Sequence, residues 1–597
     1  MNGDQVYFIG FLLALPLGVL LFEGVHVFQK RRPFRGGTYK NLAECERELN
    51  VYSRLIKYSP EDWTLYLKRG QAFALLGDHQ QAIGDYTRAL VLHPRDSLIF
   101  GQRGRSYYKL RRYDEAIWDC TRALDIDPLN MLAYSLRGQA YCESGAYELA
   151  IRDYTRAIEM EPENVQHYLN RGQVYEKLEQ FSAMLQDSDR ALELKPRTAV
   201  AHFNRGMAYY GLEQYLQAIE EHSQAILLSP RYALAYNNRG RAYARLQKYE
   251  QALSNYNKAI TINPRYALAY YQRGLVYQEQ HQYKLALQDY TQALAIDTNY
   301  CAAHFQRGTV LYHMKDFALA TQDFTQTLAS QPHHASAYSY RSLCSIYLRE
   351  NDFALEDALQ VVVIEPDSAA SYLTRGTVYW YRREYAQALI DFHRALHLDP
   401  SSSQAHVKRG NAYASIGQLS LALEDYQQAL QLCPDSSLAY YYRGCCYLRT
   451  LELTRAEHDL QRSWELEPDV ATGLLLAWIK LAEADTQADS AMAETLTEVA
   501  ALDRRHAETF VCRGIAHYLR KDYALALAEL VQAESAGPEN EHIYFWQGMV
   551  LLSQAKNDEA EMAFRHAARL GLPQGLWRPM LRFQALAVPA CANYAQS

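Results

Sequence analysis

The side chains with chemistry to offer are arginines at a fixed interval. Arg69, Arg103, Arg137, Arg171 and Arg205 stand 34 residues apart, and the series runs on through Arg239, Arg273, Arg307, Arg341, Arg375, Arg409 and Arg443. Sixteen residues after each comes a carboxylate: Asp85, Asp119, Asp153, Asp187 and Glu221, then, past Asn255, Asp289, Asp323, Asp357, Asp391, Asp425 and Asp459. A planar guanidinium and a carboxylate can make two parallel, charge-assisted hydrogen bonds. The series could therefore be a set of ion pairs inside the fold, or a ladder of arginines facing an acidic or phosphorylated ligand. The ion pair is the stronger reading. Arg513 keeps its acid as Glu529, whereas Gln547 stands with Ala563, so the two positions come and go together. A buried arginine that lost its acid would be strongly destabilising. The structural pairs expected first are Arg69–Asp85, Arg103–Asp119, Arg137–Asp153 and Arg205–Glu221.

Other chemistries find no footing. The ten cysteines include no C-x-x-C, and the nineteen histidines include no H-E-x-x-H. Phosphate-binding loops and triad signatures are also missing from the sequence. No catalytic residue, metal ligand or cofactor is assigned, and the chain reads as a non-enzyme. The cysteines read as free, mostly buried thiols of a reducing compartment. A net charge of −7 gives no basic field for nucleic acid.

The elements that position the arginines follow from the same period. With Trp63 as position 1 of a 34-residue unit, the arginine is position 7 and glycine follows at position 8 in all but one of twelve units. Positions 4, 7, 8 and 11 form one helical stripe, with aromatics such as Tyr134 and Tyr141 at 4 and 11. Positions 20, 24 and 27 form a second, with alanines such as Ala116 and Ala123. Between the stripes lies a polar break such as Leu76–His79, and a proline at position 32 closes the second helix. Each unit is thus a helical hairpin that cannot bury its own stripe, so the units must stack. The period, the large-small-large packing and the closing proline resemble the tetratricopeptide repeat. That resemblance implies an all-α, α-α superhelical solenoid of about fifteen hairpins over most of the chain.

In chain order, Val6–Phe22 is a seventeen-residue run without a charge, followed by Lys30, Arg31, Arg32 and Arg35. It reads as an uncleaved transmembrane signal anchor over residues 1–28, and the positive-inside rule puts the repeats on the cytoplasmic side of a single-pass membrane protein. Residues 29–62 are a basic juxtamembrane linker and an N-terminal capping helix. Twelve tandem units fill 63–470, a degenerate unit 471–506, two more units 507–574, and a cap and tail 575–597. The ninth unit has Ser342 for the glycine and two extra residues between Arg341 and Phe353, which predicts a longer inter-helix turn. The degenerate unit, with Trp478 at the glycine position, is expected to be a weak joint.

The resemblance places a ligand groove along the first helices, at positions 2, 5, 6, 9, 12 and 13. There the candidates are Asn170, Phe203, Asn204, Tyr210, Asn237, Asn238, Arg241, Tyr271 and Phe305. Asn170, Asn204 and Asn238 hold position 6 in three successive units. An amide carries a donor and an acceptor, so such a ladder can hold an extended peptide main chain. The expectation is a membrane-anchored, non-catalytic scaffold or adaptor with protein or peptide partners. The alternatives are a targeting or import receptor for precursor proteins and a substrate-presenting subunit of a transferase complex.

Overall fold

The computed structural model describes residues 42–469, 471–473, 475, 476, 479, 507–537 and 541–570. Their regular structure is α-helix, arranged as the 34-residue spacing requires. Contacts divide the chain into one unit ending at Ser330 and another beginning at Gln331. Each is an all-α solenoid of paired helical hairpins.

The first unit opens with helix Leu42–Tyr58 and continues as eight hairpins, from Trp63–Leu76 with His79–Leu92 to Cys301–His313 with Phe317–Ser330. The second contains the hairpins from Ala335–Tyr347 with Asn351–Ile364 to Ser437–Arg449 with Leu453–Leu466. It also contains the pairs Ala507–Leu519 with Tyr523–Ala536 and Glu541–Ser553 with Asn557–Leu570.

Each hairpin turns on a residue at position 15 in the left-handed region. Glycine fills it at Gly77, Gly145 and Gly417, but Arg111, Glu179, Glu213, Gln247, His281, Lys315, Arg349, Arg383 and Leu451 adopt the same conformation, with φ from 56° to 64°. The turn earns its geometry through capping. Arg111 N–H donates to Tyr108 O at 2.9 Å and Arg112 N–H to Tyr107 O at 3.0 Å, satisfying carbonyls that the helix end leaves open. The second helix ends on an extended residue before the proline, as at Asp127. Where Thr298 replaces the proline, the helix still ends at Ile296 with Asp297 extended. The proline therefore reinforces a stop that the repeat already makes.

Position 8 is glycine because the two helices of a hairpin touch there. A Cβ on Gly70, Gly240 or Gly274 would sit 2.7–2.8 Å from the ring of Tyr86, Tyr256 or Tyr290 at position 24. In the ninth unit position 24 is Ala358, and the room this leaves is taken by Ser342, whose hydroxyl donates to Ala354 O at 2.8 Å. Alanines 82, 89, 116, 123, 150 and 157 are completely or almost completely buried and let the helices close up.

Two expectations are corrected here. The ninth unit has no longer turn: its helices end at Tyr347 and restart at Asn351, with Arg349 left-handed in the usual place. The first residue of its second helix is Asn351 where neighbours carry an aromatic, so Phe353 was a false marker. The membrane span is the second. Among the described residues no helix is long and apolar enough to cross a membrane. The expected anchor over residues 1–28 lies outside the described residues. The expected transmembrane helix, and with it the membrane-anchored, single-pass, cytoplasm-facing reading, is therefore not supported. The linker before Leu42, most of 471–506 and the tail 575–597 also lie outside the described residues; of the degenerate unit, Leu476 and Ile479 are buried against Ala456 and Leu460.

Candidate protein-binding groove

The arginines at position 7 set the frame around the groove. Arg69 donates from Nε and Nη2 to the two carboxylate oxygens of Asp85 at 2.7 and 2.6 Å. Arg103–Asp119 and Arg137–Asp153 repeat the fork at 2.7–2.8 Å. Arg205 reaches Glu221 with Nη2 at 2.7 Å. The acid is always on the second helix of the arginine's own unit. Asp119 is completely buried, and that burial pushes its carboxyl up while Arg103 holds it down. Asn255 replaces the acid opposite Arg239 and accepts from Nε at 2.8 Å. There burial depresses the arginine, and no facing carboxylate answers it.

A third contact escaped the sequence reading. Nη1 of Arg103, Arg137 and Arg171 donates to Thr87, Thr121 and Thr155 at 3.0, 3.1 and 2.9 Å, on the second helix of the preceding unit. Asp189 and Ser223 serve Arg205 and Arg239 in the same way, both at 3.0 Å. The signal was present as an oxygen-bearing side chain sixteen residues before each of these arginines. In Arg103, Arg137 and Arg171 Nε and both Nη groups are engaged inside the protein, so these three guanidinium groups are not presented to a ligand.

The expected groove residues divide. Position 5 does not line an open surface. Phe203 is buried against Tyr232 and His222, with ring centroids 5.0 and 5.5 Å away, and Tyr271 against Tyr300 and Tyr290 at 5.1 and 5.9 Å. Asn237 is completely buried, and neither amide atom has a partner among the described residues. The exposure expected for these three is corrected: position 5 faces neighbouring helices. Phe305 is half-buried against Phe324, at 5.9 Å.

The asparagines of position 6 are also largely covered, yet not all are satisfied. Asn170 accepts from Gln166 at 2.7 Å, but its Nδ2 has no partner among the described residues, and neither has Nδ2 of Asn204. Asn238 donates to Leu234 O at 3.1 Å and accepts from Arg241 at 3.0 Å. Arg241 lies 4.6 Å over the ring of Tyr210, which packs edge-on against Tyr215 at 5.4 Å. Sequence reasoning also missed Tyr232, Tyr266 and Tyr300. They occupy the N-cap positions that are Asp62, Asp96, Asn130 and Asn164 earlier in the chain, and none makes a side-chain cap.

In the second unit a cavity of about 610 Å³ lies beside Arg443, Tyr447 and His458, but Arg443 is already held by Asp459 at 2.6 and 2.8 Å. Among the described residues no group of three or more His, Cys, Asp or Glu side chains is placed to hold a metal ion. The repeat architecture is consistent with a non-enzymatic role.

Comparison with known proteins agrees with the period. Residues 138–179 and 240–281 match a family model described as TPR repeat. Residues 49–97, 102–154 and 373–437, 267–300, and 166–198 match three models described as tetratricopeptide repeat. No curated protein matches the chain. Similar solved structures include a chain of the APC/C hetero-tetramer Cut9–Hcn1, 17% identical over 80% of this chain and 94% of that chain, with a TM-score of 0.43. A tetratricopeptide repeat protein from Parabacteroides merdae is 21% identical over 42% and 98%, with a TM-score of 0.38. Yeast Tom70 is 14% identical over 67% and 99%, with a TM-score of 0.35.

Proposed function

We propose, taking the well-supported tetratricopeptide repeats as the premise, that this chain is a non-catalytic scaffold that holds an extended protein segment along the first helices of residues 165–313. The observation that supports this most directly is the asparagine series at position 6. Asn170 and Asn204 each keep a buried amide N–H without a partner among the described residues, in adjacent units at the same register. Leaving a buried donor unpaired costs about 1–3 kcal/mol, and native folds rarely tolerate it without a reason. The carbonyls of an extended main chain supply acceptors at regular spacing, and amides bind them without reading sequence.

The test is an array of random peptides probed with the full chain and with a variant carrying Asn170→Ala, Asn204→Ala and Asn238→Ala. Helical content by circular dichroism checks that the variant is folded. The native chain is expected to retain a subset of peptides and the variant to lose most of that signal. Equal binding by both chains would refute the asparagine ladder as the holding element.

A further inference from the structure

We infer that the inner face around Arg241 is a receptor for an anionic group on the bound segment, a carboxylate or a phosphate. This rests on the groove reading above and names what the groove selects.

Arg241 differs from the arginines of position 7. Those are held by carboxylates or, at Arg239, by an amide, and from Arg103 to Arg307 by a further oxygen from the unit before. The direct partners of Arg241 are neutral: the Tyr210 side chain beneath it and the Asn238 amide oxygen at 3.0 Å. No ion pair joins it to a carboxylate among the described residues. Stacking on one face and a hydrogen bond at one corner fix the fork in place, which suits bidentate capture of an oxyanion.

The surroundings supply further donors. The hydroxyls of Tyr256, Tyr266 and Tyr300 are buried without partners among the described residues. All three phenols lie within electrostatic reach of Arg241, and burial holds them protonated, hence able to donate. His222, also close to Arg241, is completely buried and neutral, its imidazole pushed down to about 3 by desolvation.

The local sequence has also shed negative charge. Three consecutive caps, which are Asp or Asn in the first four units, are Tyr232, Tyr266 and Tyr300 here. Two carboxylates share this stretch: Glu279, which acts on Tyr256, and Glu176, near Tyr232 and within reach of Arg241 and Lys177. Burial pushes Glu176 up, and its Oε1 has no partner among the described residues. It takes an N–H from the segment, so the groove has a polarity: anion toward Arg241, donor toward Glu176.

Three dye-labelled peptides test this by fluorescence anisotropy on the full chain: alternating Glu-Ala, alternating phosphoserine-Ala and, as the neutral control, alternating Gln-Ala. The native chain is expected to bind an anionic peptide about tenfold or more tightly than the neutral one. The Glu-Ala and phosphoserine-Ala arms decide between carboxylate and phosphate. Arg241→Gln should abolish the preference, read as the ratio of anionic to Gln-Ala binding, and Arg241→Lys should keep part of it. Arg245→Gln, which alters a cation on the same helix engaged to Tyr215 at 3.2 Å, should change nothing. A preference that survives Arg241→Gln, or is absent from the native chain, overturns the receptor. The groove reading would still stand if the asparagine variant weakened Gln-Ala binding. If no peptide binds and the asparagine variant changes nothing, the groove reading fails and the receptor fails with it.

Discussion

Two glycines at the same repeat position should respond oppositely to the same substitution. At Gly274, a new methyl group would meet the Tyr290 ring at 2.7, 3.0 and 3.2 Å. Tyr290 cannot swing aside, because it is completely buried and its hydroxyl donates to Gln278 at 2.7 Å. The second helix must instead move outward by a good fraction of an ångström. Overpacking of this kind costs about 1–3 kcal/mol, and alanine returns roughly 1 kcal/mol of helix propensity, so Gly274→Ala should destabilise its unit by up to about 2 kcal/mol. At Gly172 the position-24 residue is Ser188, and the nearest atoms to a new Cβ are Met184 at 3.8 Å and Asp187 at 3.9 Å. That is ordinary contact, so the propensity gain is unopposed and Gly172→Ala should stabilise by up to about 1 kcal/mol. A repeat array need not unfold as one state, so the readout is native-state hydrogen exchange of the amides in each hairpin. Protection should fall in Tyr283–Ile296 for the first variant and rise in Phe181–Leu194 for the second. Shifts of the same sign and size in both would show that the ring contact does not explain the glycine.

His304 donates to Asp323 at 2.8 Å and to Thr298 O at 3.1 Å; both partners are acceptors, so only the imidazolium satisfies them together. The bond to Asp323 raises its pKa above 6.5, so its contribution to stability is complete below pH 6.5 and is lost as pH rises through the folded value. His304→Tyr, which copies Tyr168 donating to Pro162 O, should flatten that dependence when unfolding is followed across this range; an unchanged pH profile would refute it. Arg103→Ala should cost about 3–5 kcal/mol because it strands buried Asp119, whereas Arg103→Met with Asp119→Leu should recover most of that in thermal unfolding; equal losses would refute the pairing argument. Glu213→Gly, at an exposed turn residue with φ 61°, should raise stability by about 0.5–1 kcal/mol by removing the left-handed strain of a side chain, and no gain in a denaturant melt would count against it.

The hairpins were legible in the sequence because every unit repeats the same packing problem. The Arg–Asp pairing was legible because two positions varied together inside one chain, and the distances of Arg69 to Asp85 and Arg103 to Asp119 follow from that register. Exposure was less legible. A concave-side position can turn toward the groove or toward the next helix, and only the size of the neighbouring ring decides; Phe203 and Tyr271 went inward onto Tyr232 and Tyr300. Those tyrosines were themselves hidden because they sit at caps, where a polar residue is expected. Phe353 misled because an aromatic near the start of a second helix resembled the marker that its neighbours carry two residues earlier, at the position of Asn351.

The arginine that holds its own unit's acid and the previous unit's hydroxyl gives the array a grammar for growth. From Arg103 to Arg307 each repeat arrives with a guanidinium that takes an oxygen from the repeat behind it, and it offers one in turn to the repeat that follows. Duplicating or deleting one whole period of the coding sequence leaves each such arginine facing an equivalent partner. A crossover that joins unlike registers leaves a buried charge without its counterpart. Recombination is thereby channelled toward whole-period changes, which accords with an unbroken run of Arg-bearing units from Arg69 to Arg443.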